Sequence, residues 1–249
     1  MATIAIYSLK GGVGKTTLAV NLAWASAVQS ARRTLLWDLD PQAASSWLLG
    51  GDARGKDAAQ AVFAREISPA RLIMPTAVPG LDLLRADTSL RGLDQFFFAL
   101  GKRKRLTRLL GELGKSYDRI ILDCPPGLTE TSEQVMRAAD LILVPVIPSP
   151  LSRRALDEVV GYLDREQRGH APILPVYSMV DRRRLLHRQA IECDTDWPVI
   201  PMASAIEQMT VRRLPVGAFA AQSPAAAAFT ELWIGVERKL ARHAQSASS

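Results

Sequence analysis

The eight residues Lys10-Gly-Gly-Val-Gly-Lys-Thr-Thr17 constrain the fold of this chain more than any other stretch. They sit between an apolar run at residues 4–7, which reads as a strand, and a helical pattern over residues 18–28. Glycines at 11, 12 and 14 let the backbone take positive φ and approach a ligand closely. Successive N–H groups, those of Gly11, Gly12, Val13 and Gly14, then turn inward as an anion nest at the positive end of the helix. In such a cradle Lys15 contacts the β- and γ-phosphates of a nucleotide, the Thr16 hydroxyl ligates Mg²⁺, and Thr17 adds a donor in the first helical turn.

The rest of the chain repeats the strand-then-helix order of this start. Short aliphatic runs at residues 3–7, 34–37, 81–84, 119–122, 141–146, 173–177 and 197–200 alternate with helical patterns. The patterns cover residues 16–30, 57–66, 89–100, 103–113, 130–139, 152–166 and 224–242. The runs are apolar throughout rather than alternating, as in strands buried on both faces. Strand–helix alternation of this kind predicts an α/β fold, a mostly parallel twisted sheet with helices on both faces. At 249 residues and 48% hydrophobic composition, with no repeat and no long linker, a single domain is expected over 1–249. Residues 244–249 are small and polar and are expected to fray.

Carboxylates end two of the expected strands. Leu35-Leu-Trp-Asp-Leu-Asp-Pro-Gln42 places Asp38 and Asp40 two residues apart at a strand's carboxyl end, the edge where open α/β sheets bind ligands. That spacing points both toward a metal and a γ-phosphate; capping or solvated aspartates are the plainer alternative. Arg119-Ile-Ile-Leu-Asp-Cys-Pro-Pro126 is an apolar strand ending in Asp123, a carboxylate suited to holding Mg²⁺ through water. Cys124 reads as a small buried hydrophobe.

Leu9 occupies a position where the ordinary Walker A pattern has glycine, and a second lysine, Lys10, precedes the glycine pair. With the Asp38-Leu-Asp-Pro-Gln42 segment and Tyr117-Asp-Arg-Ile-Ile-Leu-Asp-Cys-Pro-Pro126, this resembles the deviant Walker A ATPases of the ParA/MinD superfamily. The resemblance is strong through residue 150 and thinner from 170 onward. It implies ATP and Mg²⁺ as ligands and a nucleotide-sandwich homodimer in which Lys10 reaches the partner copy's phosphates. It also implies that Asp40 orients the attacking water and that Asp38 supports it or the Mg²⁺ shell, with Gln42 on the same switch. Relatives follow that glutamine with glycine, whereas this chain has Ala43. On the base side, Ser178 stands where relatives carry asparagine, and Ile200-Pro-Met202 resembles an adenine-lining segment. Met179, Pro201 and Met202 are candidates for that pocket, with core packing the equal alternative.

The chain carries 31 Lys+Arg against 25 Asp+Glu, a formal charge of +6, which favours polyanionic partners without choosing among them. The excess gathers at Lys102–Arg105 with Arg108, at Arg182, Arg183 and Arg184 with Arg188, and at Arg212 and Arg213. The first cluster reads equally as a solvated helix face. By resemblance, the last two form a sequence-independent phosphate surface for double-stranded DNA. No helix–turn–helix or zinc spacing suggests base-specific readout.

The family resemblance therefore implies an ATP-bound dimer that binds DNA nonspecifically, is released when a partner protein stimulates slow hydrolysis, and positions a DNA locus or protein cargo. A cytoplasmic, nucleoid-associated protein is expected, since Cys124 and Cys193 make no disulfide framework and no export signal or spanning run stands out. The rival is a MinD-like membrane-cycling regulator. The last helix carries Phe229, Leu232, Trp233, Val236 and Leu240 as a stripe that suits either a membrane surface or a core. A cluster-carrying or metabolic ATPase is a weaker rival, because two distant cysteines do not hold a cluster. A tyrosine kinase of the polysaccharide type would want a tyrosine-rich tail, which is missing here.

Overall fold

The computed structural model describes residues 1–50, 59–100, 104–166 and 169–247. The start of the expected helix 57–66, and Lys102 and Arg103 of the first basic cluster, lie outside the described residues. Among the described residues eight strands form one sheet: β1 (Ala2–Ile6), β2 (Thr34–Asp38), β3 (Ile73–Pro75), β4 (Leu81–Leu84), β5 (Arg119–Asp123), β6 (Leu141–Val146), β7 (Ile173–Val180) and β8 (Val199–Pro201). Their order is β3-β4-β2-β5-β1-β6-β7-β8, and every pairing is parallel except β3 with β4. Seven of these strands match the apolar runs. The extra one, β3, is three residues at an edge, where Pro75 is tolerated because its missing N–H is not needed for a second neighbour.

Pro145 sits inside β6 without breaking it. β1 pairs with β6 only from Leu141 to Leu143, so Pro145 lies beyond that pairing and has only β7 beside it. The helices are α1 (Lys15–Trp24, extended by a π turn to Gln29), α2 (Ala44–Gly50), α3 (Ala59–Ala64), α4 (Leu93–Leu100), α5 (Arg105–Leu113), α6 (Glu130–Ala138), α7 (Pro150–Glu166), α8 (Leu185–Cys193), α9 (Ser204–Arg212), α10 (Val216–Phe219) and α11 (Pro224–Ala247).

Alternate residues of β1, with Tyr7 just after it, enter opposite cores. Ala5 and Tyr7 pack with Trp37, Phe63, Phe97, Leu106, Val135 and Leu156, under α3 to α8. Ile4 and Ile6 pack with Leu18, Leu22, Leu48, Phe229 and Trp233, under α1, α2 and α9 to α11. The apolar stripe of α11 is therefore core. Trp233 is 1% exposed and donates its indole N–H to Ser30 Oγ at 2.8 Å. The helix runs on to Ala247, into the segment expected to fray. Among the described residues no helix is long and apolar enough to cross a membrane.

Candidate nucleotide-binding site

β1, β2 and β5 lie side by side, and their register brings Ile6 opposite Asp123 and Asp38 opposite Asp123. The phosphate loop, the Asp38–Gln42 segment and the end of β5 therefore converge at one sheet edge. Gly12 and Gly14 take φ of +71° and +92°, and Gly14 is the N-terminal cap of α1, offering its turn without a side-chain partner. A cavity of about 540 Å³ opens there, lined by Gly11, Gly12, Gly14, Lys15, Thr16, Thr17, Asp40, Pro41, Gln42, Pro125, Pro126 and Met179.

Lys15 is nearly buried and donates to the Lys10 carbonyl at 3.1 Å. Burial lowers its pKa, against the opposing pull of Asp123 and Asp40. A desolvated ammonium with spare donors at the mouth of an N–H-lined cavity suits phosphate. The Lys10 ammonium has no hydrogen bond or ion pair among the described residues.

Asp123 is buried at the floor. Its Oδ2 accepts from Thr16 Oγ1 at 2.8 Å and from Ser45 Oγ at close range, while Oδ1 is buried with no hydrogen-bond partner. Its pKa is raised, chiefly by burial. An orphaned buried carboxylate oxygen beside a threonine hydroxyl fits Mg²⁺, which favours one or two carboxylates with water and phosphate completing its octahedron.

The two aspartates of the second strand part ways in burial and bonding. β2 ends at Asp38, so the alternation of a strand does not carry through to Asp40. Asp38 is fully buried, does not line the cavity, and accepts from Ser46 N–H at 2.9 Å, Ser46 Oγ at 2.7 Å and Asp40 N–H at 3.1 Å. Burial, with the charge of Asp123 beside it, raises its pKa. It anchors the following turn. Asp40 lines the cavity; its Oδ1 accepts the Gln42 N–H at 2.8 Å, which leaves Oδ2 without a hydrogen bond among the described residues. Ala43 closes that turn at φ +53°, in the left-handed region that favours glycine.

A second, apolar cavity of about 100 Å³ adjoins the first, lined by Thr17, Leu18, Ser178, Met179, Ile200, Pro201, Met202 and Ile206 among others. The three residues nominated for the base side do meet there. Met179 takes φ +54° at a bulge between β7 and β8. Ser178 is buried and donates to the Val13 carbonyl at 2.8 Å, so its hydroxyl fastens the phosphate loop to β7. Cys124 is fully buried, as expected of a small hydrophobe.

The arginines are less free than their numbers suggested. Arg183 makes a two-point ion pair with Asp181, at 2.9 Å each, and Arg188 Nη1 donates to the Arg182 and Arg183 carbonyls, both at 3.1 Å. Arg182 and Arg184 are exposed in the same turn, after β7. Arg212 lies over the Phe219 ring at 5.0 Å and Arg213 over Trp47 at 4.4 Å. In the first cluster, Arg105 is buried and donates to the Phe63 carbonyl at 2.6 Å, so it belongs to the core rather than to a solvated face.

Sequence reasoning missed Ser45 and Ser46, the side chains that hold Asp123 and Asp38. Their only signal is position, a few residues beyond the Asp-Pro-Gln turn, where a helix would bring them back over the strand ends.

Phosphate loop, paired strand-end aspartates and parallel sheet together define a nucleoside-triphosphatase fold of the P-loop kind. The profile of a family described as AAA domain (AAA_31) matches residues 1–174. The chromosome partitioning protein ParA of Caulobacter vibrioides (strain NA1000 / CB15N) is 32% identical over 200 residues, covering 76% of this chain and 73% of that protein. The sporulation initiation inhibitor protein Soj of Bacillus subtilis (strain 168) is 32% identical over 197 residues, covering 76% and 77%. Among solved structures, apo McdA from Cyanothece superposes with a TM-score of 0.81 at 22% identity, covering 96% of this chain and 99% of that one. The septum site-determining protein MinD of Pyrococcus horikoshii OT3 follows with a TM-score of 0.77 at 24% identity, covering 94% and 95%. The chain belongs to the ParA/MinD superfamily.

Proposed function

We propose that this chain is a ParA-type positioning ATPase: two copies close around ATP, bind DNA regardless of sequence, and let go once a partner protein has stimulated hydrolysis. The cargo is a plasmid or chromosome locus or a protein assembly. The observation that carries this reading is the meeting of Lys15, Thr16, Asp123 and Asp40 around one cavity, with an unengaged Lys10 just ahead of the glycines that line it.

Lys15, the loop N–H groups and Thr17 bind the phosphates. Thr16 and the unpartnered oxygen of Asp123 would hold Mg²⁺, Asp123 through water, and the bound ion would supply positive charge against the phosphates. Asp40, on its turn, accepts a hydrogen bond from the attacking water and orients it. Lys10 crosses to the other copy and offsets charge on the transferring phosphoryl group, as an arginine finger does elsewhere. The apolar cavity of Met179, Pro201 and Met202 takes the base.

The nature of the relatives supports the reading. Relatives above 30% identity include the chromosome partitioning protein ParA and the sporulation initiation inhibitor Soj, and the solved McdA and MinD include complexes with ATP and Mg-ADP respectively. The fold alone does not choose, since cobyrinic acid a,c-diamide synthase from Mycobacterium smegmatis, solved with an ATP analogue and magnesium, superposes with a TM-score of 0.79 at 25% identity. The membrane-cycling alternative loses its main support, because the α11 stripe is core.

Co-sedimentation with DNA in ATP, ADP or no nucleotide, at two salt concentrations, tests the proposal. The expected result is ATP-dependent, salt-sensitive binding without sequence preference, lost in Lys15→Ala and prolonged in Asp40→Ala. Hydrolysis without DNA binding in any state would retire the DNA reading, and rapid turnover by Asp40→Ala would remove Asp40 from its role.

A further inference from the structure

Two helices beside the nucleotide cavity reach the same basic segment. On the α1 side, buried Asn21 donates to the Thr17 carbonyl at 2.8 Å and to Met209 Sδ at 3.1 Å, and its Oδ1 accepts the Val216 N–H at 2.8 Å. A Cβ at Gly217 would lie 2.2 Å from the Trp24 ring, so α10 is pressed directly onto α1. These contacts latch residues 209–217, Arg212 and Arg213 among them, to the helix that carries the phosphate loop.

On the α2 side, three consecutive residues engage three different groups. Ser45 donates to Asp123, Ser46 donates to Asp38, and Trp47 lies against the Arg213 guanidinium. Thus α2 spans from the buried carboxylates at one contact to a surface arginine at the next.

We propose that α2 is a relay: the bonding state of Asp123 and Asp38 sets the position of Trp47 against Arg213, so that nucleotide in the cavity changes how Arg213 is presented to DNA. The proposal rests on the functional reading above. Asp123 Oδ2 accepts two hydroxyls while Oδ1 has none, so ligand bound at Thr16 and Asp123 redistributes those bonds. Thr16 sits on α1, which is latched to residues 209–217, whereas Ser45 sits on α2, a separate helix of seven residues. A shift at Ser45 therefore arrives at Trp47, two residues on. A stacked guanidinium depends on its place over the ring, so a small displacement changes the contact.

The test combines tryptophan emission with DNA affinity. The wild type minus Trp47→Phe difference isolates Trp47 from the other tryptophans, and equilibrium dialysis reports nucleotide occupancy separately. The relay predicts that Trp47 emission differs between MgATP, MgADP and no nucleotide, and that Ser45→Thr, which keeps the hydroxyl, preserves this response better than Ser45→Ala. In Trp47→Ala the ratio of DNA affinities in ATP and ADP falls about fivefold or more, while Trp47→Phe, which keeps a ring, holds it. Trp47 emission indifferent to bound nucleotide, or an unchanged affinity ratio in Trp47→Ala, would overturn the relay. Responsive Trp47 emission with no DNA binding in any form would instead retire the DNA reading and support the coupling to Arg213.

Discussion

Single positions around the site differ in how tightly the fold holds them. Asp38 and Asp40 look alike in sequence, yet one is sealed under Ser46 and the other opens onto the cavity. Removing the Ser46 hydroxyl leaves Asp38 and the Ala86 N–H each a partner short, since Ser46 Oγ also accepts from Ala86 at 2.9 Å. A buried polar group left unsatisfied costs about 1–3 kcal/mol, so Ser46→Ala is expected to lower stability by about that much in urea unfolding. Ala43 runs the other way. Its φ of +53° is costly for a side chain with a Cβ, by about 1–2 kcal/mol, against about 0.4–1 kcal/mol gained by restricting the unfolded chain. Ala43→Gly should therefore raise the thermal midpoint or leave it level, where Ala→Gly in an ordinary helix lowers it. Both serines were invisible in the sequence, because each acts through a carboxylate whose direction depends on the neighbouring strands, whereas Ala43 was marked in advance by standing where relatives have glycine.

Among the elements, long helices and apolar strands were legible, and short ones were not. α2 has seven residues and opens on Ala-Ser-Ser, too brief for a periodic pattern; α8 and α9 were hidden for a related reason, since each buries a single residue completely. In α8 that residue is His187, whose Nδ1 accepts the Asp181 N–H at 3.0 Å, tying the helix to the arginine turn before it. Burial, then the charge of Arg184, lowers the His187 pKa. The folded protein thus resists a proton that the unfolded chain takes up below about pH 6.5. The stability this confers is complete above that value and is lost as pH falls beneath it. The urea midpoint should drop between about pH 7.5 and pH 5, and His187→Leu should remove part of that dependence. An equal drop in both proteins would show that His187 contributes none of it.

Over the whole molecule, the sheet divides two cores, and α11 closes one of them. Trp233 is expected to behave as a core residue: Trp233→Ala should cost about 3–5 kcal/mol of stability. Liposome binding that depended on Trp233 in a folded protein would contradict its burial. The arginines set a different global property. If about four phosphates are neutralised per copy, the logarithm of DNA affinity falls with the logarithm of salt at a slope of about −3.6. Replacing exposed Arg182 or Arg184 with Ala should flatten that slope by about 0.9 each if they touch phosphate. Arg183, paired with Asp181, should contribute less.

By itself the sequence determined everything carried by contiguous residues. Lys10–Thr17 between a strand and a helix made the glycine-rich loop, apolar runs buried on both faces made the parallel sheet, and the closing aspartate of Arg119–Asp123 put a carboxylate at the sheet edge beside that loop. Local backbone geometry and burial periodicity act over a few residues, so they are written in the order of the chain. Tertiary structure alone decided which carboxylate is sealed and which is open, which arginines are tied to partners, and that Ser45, Ser46 and Trp47 bridge the buried aspartates to Arg213. Those outcomes depend on contacts between residues far apart in sequence, such as Ser45 with Asp123 and Trp47 with Arg213. Only the packed sheet and helices bring such pairs within bonding distance.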